Sequence, residues 1–432
     1  MHPERDHRRS RRRVGAGLLA ASFLAVAALS GCASDDGGAP TLTWYINPDD
    51  GGQAEIAKRC TEASGGRYAI STSLLPRDAS SQREQLARRL AAGDSSMDIM
   101  SLDPPFVPEL AEPGFLAPVP QNVIDETTKD VVEGALAGAT WKDQVVAVPF
   151  WANTQLLWYR KSVAEKAGLD MTQPVTWDQI MDAARETETQ LGVQGVRSES
   201  MTVWVNALYE SQGQGIIENP GAGKDEVELG IDTPAGQEAA RIIGTIGRDG
   251  LGGPGLSTAD ESASMATFQS DKGSFMVNWP FVWPATESSK PELMDDIGWA
   301  LYPRVTADQE TAPPLGGIML GVGSESQHPE LAYEAITCIA SVDNQAFYFE
   351  SNGNPAAKTA AYDDAAVKEK FPMAPEIRES LEMAKPRPQT QYYNEVSTAV
   401  QQRWTPAEAV GENTPAATES FISEVLRGER LL

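Results

Sequence analysis

The sequence runs to 432 residues with a formal charge of −26, 41% hydrophobic and 7% aromatic residues, three cysteines and three histidines. That length suits two packed domains better than one core, and the hydrophobic content is that of a folded chain despite the charge. Acidity of this size repels phosphate backbones and anionic lipid surfaces, which excludes nucleic-acid binding, and so few histidines exclude most His-based catalysis and His-rich metal sites.

The charge is unevenly placed. Residues 1–31 hold six arginines against Glu4 and Asp6, a net +4, so the remainder carries −30. Arg8, Arg9, Arg11, Arg12 and Arg13 precede an apolar run over 14–29, which is the charged and hydrophobic pattern of an export signal and too short for a comfortable membrane span. The run closes on Leu29-Ser30-Gly31-Cys32, the lipobox pattern in which the cysteine sulfur is diacylated and becomes the new N-terminus. An ordinary signal peptide with an incidental cysteine is the alternative, and the paired arginines leave both the general and the twin-arginine export routes open. Removal of 1–31 takes His2 and His7 with it and leaves His328 alone. Residues 32–40 read as a lipidated, flexible tether, so the mature chain is expected outside the cell, anchored to the outer face of the membrane through Cys32.

Cys60 and Cys338 then share an oxidising compartment. Each lies on the apolar face of a predicted helix, one beginning near Gln53 and one whose first turn carries Pro329 and Glu330. They form either a bridge between adjacent helices or two buried thiols.

Residues 41–46 form a short β-rich run, followed by the turn cluster Asn47-Pro48-Asp49-Asp50-Gly51-Gly52. A second strand is predicted over 68–75. Ser81-Gln82-Arg83-Glu84 has the capping-box pattern, opening a helix that stops at Gly93. A third apolar strand over 98–102 ends at Asp103. This alternation predicts a parallel α/β sheet, in which ligands gather at the carboxyl ends of strands; those ends carry Asn47 to Asp50, Leu75 to Asp78, and Asp103. Further on, 153–159 reads as a strand, helices follow over 177–191, 203–212 and 234–246, another helix ends near Phe268, and 274–279 is a strand with Trp279 at its exit. Residues 313–323 contain Gly316-Gly317 within an apolar strand, and the last hundred residues are mostly helical. Neither the glycine-rich loop over 247–255 nor Gly223-Lys224-Asp225 ends as a phosphate-binding loop does.

No nucleophile elbow, zinc-protease helix, paired-cysteine motif or dinucleotide fingerprint occurs. A glycosidase needs only two carboxylates, and with 61 acidic residues chance pairs are inevitable. A sugar-binding site instead wants Trp or Tyr platforms for apolar C–H faces and Asp, Glu, Asn and Arg for the hydroxyl rim. Trp279, Trp151, Asp103, Glu261, Asn153 and Arg387 are suitable in kind.

The lipobox, the segment 75–116 and the run Asn153-Thr154-Gln155-Leu156-Leu157-Trp158-Tyr159-Arg160, together with Val277-Asn278-Trp279-Pro280-Phe281, resemble the solute-binding lipoproteins of carbohydrate ABC importers. Within that family the chain is more closely similar to the trehalose-binding lipoproteins of actinobacteria. The resemblance implies an α/β, two-lobed periplasmic-binding-protein-like fold of type II, with a ligand cleft between lobes joined by crossing strands. The expected limits are 41–149 plus 297–347 for one lobe and 150–296 plus 348–432 for the other, with crossings near Phe150, Trp299–Tyr302 and Phe347–Glu350. Carried over residue by residue, it places ligand contacts at Asp103, Asn153, Glu261, Trp279, Gly316, Gly317 and Arg387. Asn47 and Asp50, in the first strand-exit loop, complete the expected site. The ligand implied is a neutral disaccharide, trehalose first, with maltose or another oligosaccharide as alternative and a secreted glycoside hydrolase as the rival activity. Permease subunits are the implied partners. Neither catalysis, a cofactor nor a metal is expected, and the protein is expected to be a monomer.

Overall fold

The computed structural model describes residues 38–432. The export signal and Cys32 lie outside the described residues. Eleven strands are defined in chain order: β1 Thr41–Ile46, β2 Ala69–Leu74, β3 Ile99–Leu102, β4 Thr140–Trp141, β5 Gln144–Val145, β6 Val148–Thr154, β7 Leu156–Arg160, β8 Gln190–Gly192, β9 Gly273–Asn278, β10 Ile297–Ala300 and β11 Leu315–Gly321. Apart from the β4–β5 hairpin they form two sheets, a five-stranded one in the order β2-β1-β3-β11-β6 and a four-stranded one in the order β10-β7-β9-β8.

The first sheet begins as the sequence alternation predicts. β1 pairs in parallel with β2 on one side and β3 on the other, because a helix crosses over between β1 and β2 and another between β2 and β3, so all three strands run the same way. Side chains alternate across β1. Leu42, Trp44 and Ile46 pack with Ile56, Ala57 and Cys60 of the helix Gly52–Ala63, whereas Tyr45 packs on the other face with Leu86 and Leu90. The helix over Ala79–Ala91 starts earlier than its capping-box pattern implies. Asp78 is the cap, accepting from the Ser81 backbone N–H at 2.8 Å, so Ser81 is a donor inside the first turn.

β6 and β7 are two strands, where the sequence reads as one. Val148–Thr154 runs antiparallel to β11 in the first sheet, Leu156–Arg160 runs antiparallel to β9 in the second, and only the buried Gln155 separates them. The crossing therefore falls at Gln155, five residues beyond the expected Phe150. The return also differs. Ile297–Ala300 still pairs with β7, so the chain re-enters the first sheet only at Leu315, and the expected boundary at 297 moves accordingly. The third crossing falls later than Phe347–Glu350. The helix Val342–Asn352 lies over the first sheet, with Tyr348 stacked on Phe150 of β6. Pro314 still bridges to Lys385, and side chains beyond it (Val396, Val400, Trp404 and Phe421) join the core of the second sheet. The reason is the same each time: strand pairing and helix docking, not local pattern, decide where a segment leaves one core for the next.

Cys60 and Cys338 are bridged, joining Gly52–Ala63 to Pro329–Ile339 with Cα atoms 5.8 Å apart across 278 residues. Asn344 donates to the Cys338 carbonyl at 2.8 Å and ties the next helix to the same point. Closing so long a loop removes denatured-state entropy worth about 5 kcal/mol as an upper figure. Replacing both cysteines by serine is expected to lower unfolding free energy by about 2–5 kcal/mol in denaturant titration, and reductant is expected to reproduce the loss in the unmodified protein.

Glu210 closes the helix Glu199–Glu210, and burial pushes its carboxyl from the ordinary range to about 7, with Lys385 acting against the rise and Glu218 adding to it. A carboxyl raised in the folded state binds more protons there than in the unfolded chain, so its cost is absent below about pH 4.5 and grows as pH rises toward 7. Glu210→Gln is therefore expected to stabilise the protein by about 1–3 kcal/mol at pH 8 and to change nothing at pH 4, as read by thermal melting at the two values.

Candidate functional site: a cleft between the two sheets

A cavity of about 670 Å³ lies where the first sheet's strand ends meet the second sheet. β1 delivers Asn47 to it, β3 delivers Asp103, β6 delivers Asn153 and β11 delivers Gly316 and Gly317. From the other side come Trp279 at the exit of β9, Glu261 at the start of the helix Glu261–Phe268, and Glu199 at the start of Glu199–Glu210. Arg387 reaches it from the segment that makes the third crossing. Eight of the nine expected ligand residues thus share one cavity, although they span most of the chain.

The ninth does not. Asp50 is exposed and outside the cavity. Its neighbour Asp49 takes the local structural role, accepting from the backbone N–H groups of Gly51 at 3.1 Å and Gln53 at 2.8 Å. That turn closes through Gly51 at φ +95°.

Two glycines allow the walls to meet. A Cβ on Gly316 would stand 3.1 Å from the Trp279 ring, so the missing side chain is what lets an indole from the second sheet lie against a strand of the first. Gly317 has φ +116°, and a Cβ there would meet the Trp151 carbonyl at 2.2 Å. No other residue fits that position without moving β6.

Trp279 is held at its base. Its N–H donates to Asn278 Oδ1 at 2.9 Å, and Asn278, fully buried, donates through Nδ2 to the Glu261 carbonyl at 2.9 Å and to Ser264 Oγ at 3.1 Å. One amide therefore sets the spacing between the indole and Glu261. The Glu261 carboxylate accepts from Ser200 Oγ at 2.7 Å. Asn153 Oδ1 accepts from the Thr154 N–H at 3.0 Å, which leaves its Nδ2 for the cavity. Asn47 Nδ2 donates to Gln82 Oε1 at 2.8 Å, and its own Oδ1 is buried without a partner.

The expected free donor Arg387 is already paired. Its Nη2 donates to Asp103 Oδ1 and its Nη1 to Glu199 Oε1, each at 2.6 Å, and the side chain is 5% exposed. Asp103 belongs to the first sheet and Glu199 to the second, so one guanidinium spans the cleft. Glu199 also accepts from the Tyr393 hydroxyl, from Ser397 Oγ at 2.7 Å and from Gln401 at 3.4 Å. Burial pulls the Arg387 guanidinium toward neutrality, but Asp103, Tyr393 and Glu199 together hold it well above its ordinary value, so it stays charged. Burial and the Glu199 charge push the Tyr393 hydroxyl well up, keeping it a neutral donor. Asp103 is raised by burial, with Arg387 opposing the rise.

Glu199 was not expected at the site. The predicted helix began at Val203, but Ser198 caps it, its Oγ accepting from the Ser200 N–H at 3.3 Å, and brings Glu199 into the first turn. Ser198-Glu199-Ser200 is the pattern that marks this start. Arg77, from the strand-exit segment 75–78, also lines the cavity, as do Gln82 and Tyr348, which no sequence signal marks as site residues. Among the described residues no cluster of His, Cys, Asp and Glu suited to a metal ion occurs, and no helix is long and apolar enough to cross a membrane.

Two α/β lobes around a polar, aromatic-lined cleft define a periplasmic-binding-protein-like fold. The family model for bacterial extracellular solute-binding proteins matches residues 74–346, and the chain belongs to that family. Maltose-bound MalE3 of T. maritima is similar in structure, with a TM-score of 0.76, 24% identity, and coverage of 91% of this chain and 100% of that one. A solute-binding protein of Agrobacterium vitis with bound D-mannitol gives a TM-score of 0.71 and 21% identity over 90% of this chain and 98% of that one. The mannitol-binding protein of Pseudomonas aeruginosa is 24% identical over 284 residues, which span 63% of this chain and 62% of that relative. The first curated relatives are matched over 66% of their length.

Loss of Arg387 would leave two buried carboxylates without a counter-charge. Arg387→Met is expected to cost about 3–5 kcal/mol in denaturant unfolding, and adding Asp103→Asn is expected to recover part of that loss. A single-variant cost below about 1 kcal/mol, the range of an exposed pair, would show that the bridge contributes little.

Proposed function

We propose that this chain is the extracytoplasmic, lipid-anchored capture component of an ABC importer. It takes a neutral disaccharide, trehalose first, into the cleft and delivers it unchanged to permease subunits. The observation that carries the reading is the indole of Trp279 lying against Gly316, with Asp103, Asn153, Glu261 and Arg387 around the same cavity. In this reading Trp279 supplies a platform for a pyranose face, Asn153 donates to hydroxyls, and Glu261 accepts from them. Relatives with this fold have been solved with maltose and with D-mannitol, and the GacH receptor of Streptomyces glaucescens with acarbose. The trehalose assignment rests on the motif resemblance around Asn153, Trp279 and Arg387.

The two lobes both contribute to the cleft, so a bound sugar favours the closed arrangement to the extent that it binds closed better than open. Cys32 holds the monomer at the membrane, and the permease supplies transport. A maltose or longer-glucan ligand is the second reading, favoured by a cavity of about 670 Å³, which has room beyond two sugar rings.

Calorimetry with trehalose, maltose and sucrose tests the choice. Trehalose is expected to bind more tightly than roughly millimolar, about −4 kcal/mol, and more tightly than the other two. Weaker binding than that would remove trehalose as the ligand. Trp279→Ala is expected to weaken the preferred sugar at least about tenfold, and a variant binding normally would remove the stacking role.

A further inference from the structure

We infer that the cleft selects its ligand by charge and that Glu261 is the residue that sets the selection. A phosphorylated or carboxylated glycoside is rejected, and an amine-bearing one binds at least as well as its neutral parent. This rests on the reading of the cleft as a glycoside site.

The floor of the cleft holds three carboxylates, Asp103, Glu199 and Glu261, and one guanidinium, Arg387. Both terminal nitrogens of that guanidinium are engaged at 2.6 Å by Asp103 and Glu199. Its Nε is buried and has no partner. Arg387 keeps N–H groups beyond these two bonds, but drawing its guanidinium toward an incoming anion would strand one or both of its buried carboxylates. The triad already carries a formal charge of about −1 before Glu261 is counted. Glu261 has no cationic partner among the described residues. Its one side-chain bond is from the neutral Ser200 hydroxyl at 2.7 Å.

The rim does not reverse this. Asp78 and Asp260 also face the cavity, each bound as the cap of its own helix. The second cation, Arg77, is exposed and lies where water and salt screen it. An anionic substituent inside the cleft thus meets uncompensated negative charge at short range, whereas an ammonium group gains a charge-assisted hydrogen bond to Glu261. A hydroxyl loses nothing by this arrangement, because a carboxylate accepts from it directly.

The test is calorimetry on the mature protein with three forms of each sugar: trehalose, its 6-phosphate and its 2-amino-2-deoxy derivative, and the same three forms of maltose. For whichever neutral parent binds, the 6-phosphate is expected to be at least about 100-fold weaker. The amine is expected to equal or exceed the parent, with its advantage shrinking as salt rises from about 0.05 to 0.5 M. Glu261→Gln keeps the shape and an acceptor for Ser200 while removing the charge. It is expected to narrow the phosphate-to-parent ratio by about tenfold and to abolish the salt-dependent advantage of the amine. A 6-phosphate binding within about threefold of its parent, or a ratio unchanged in Glu261→Gln, overturns the inference. Trehalose failing while maltose binds and maltose 6-phosphate does not would remove the trehalose reading and support the charge selection.

Discussion

The Asp103–Arg387–Glu199 bridge is the interaction on which the geometry of the cleft depends. Each carboxylate stands on a different lobe, and the guanidinium between them is almost wholly buried. A charge in that position is tolerated only while both partners are in place, so moving the lobes apart has to break a buried ion pair or carry Arg387 with one side. Around the bridge, Tyr393, Ser397 and Gln401 supply further donors to Glu199, and the Tyr393 ring meets Phe106, three residues past Asp103, edge to face. The polar link is therefore sheathed by an aromatic contact that also spans the two lobes, and the low local dielectric this produces strengthens the bridge itself.

The same bridge changes the chemistry offered to a ligand. Each terminal nitrogen of Arg387 holds one carboxylate, so the guanidinium fixes Asp103 and Glu199, whereas the Glu261 carboxylate has no cationic partner among the described residues. Trp279 is positioned by a separate device, the buried Asn278, which also fixes the helix that carries Glu261. The indole and Glu261 are thus held by one amide. The opposing wall is backbone: Gly316 and Gly317 present a strand with no side chains where the indole approaches.

How much of this was legible can be judged residue by residue. Asp103 and Trp279 could be placed because each follows a strand, and the carboxyl ends of strands in such sheets converge on one side. Gly316 and Gly317 were legible as a pair, though only the φ of Gly317 and the approach of Trp279 explain why glycine is needed. Asp49 and Asp50 are adjacent in one loop, and sequence has no means of knowing which of them the turn before the helix will hold by its backbone N–H groups. Glu199 was missed because the apolar run that announces its helix starts later than the capped turn that precedes it. The strand that reads continuously through Gln155 is divided between two sheets, since extended backbone looks the same whichever partner it finds.

The sequence by itself determined the α/β alternation, the placement of two cysteines on apolar helix faces, the aromatic and acidic residues available to a site and the motifs that resemble the family. These follow from local alternation, spacing and motif, which are properties of neighbouring residues. Tertiary structure alone decided where the chain crosses between sheets, which aspartate leaves the site, and that Arg387 is shared between two carboxylates rather than free. Those outcomes depend on which distant groups are brought within hydrogen-bond distance. For a buried charge, that partner sets both its state and its use.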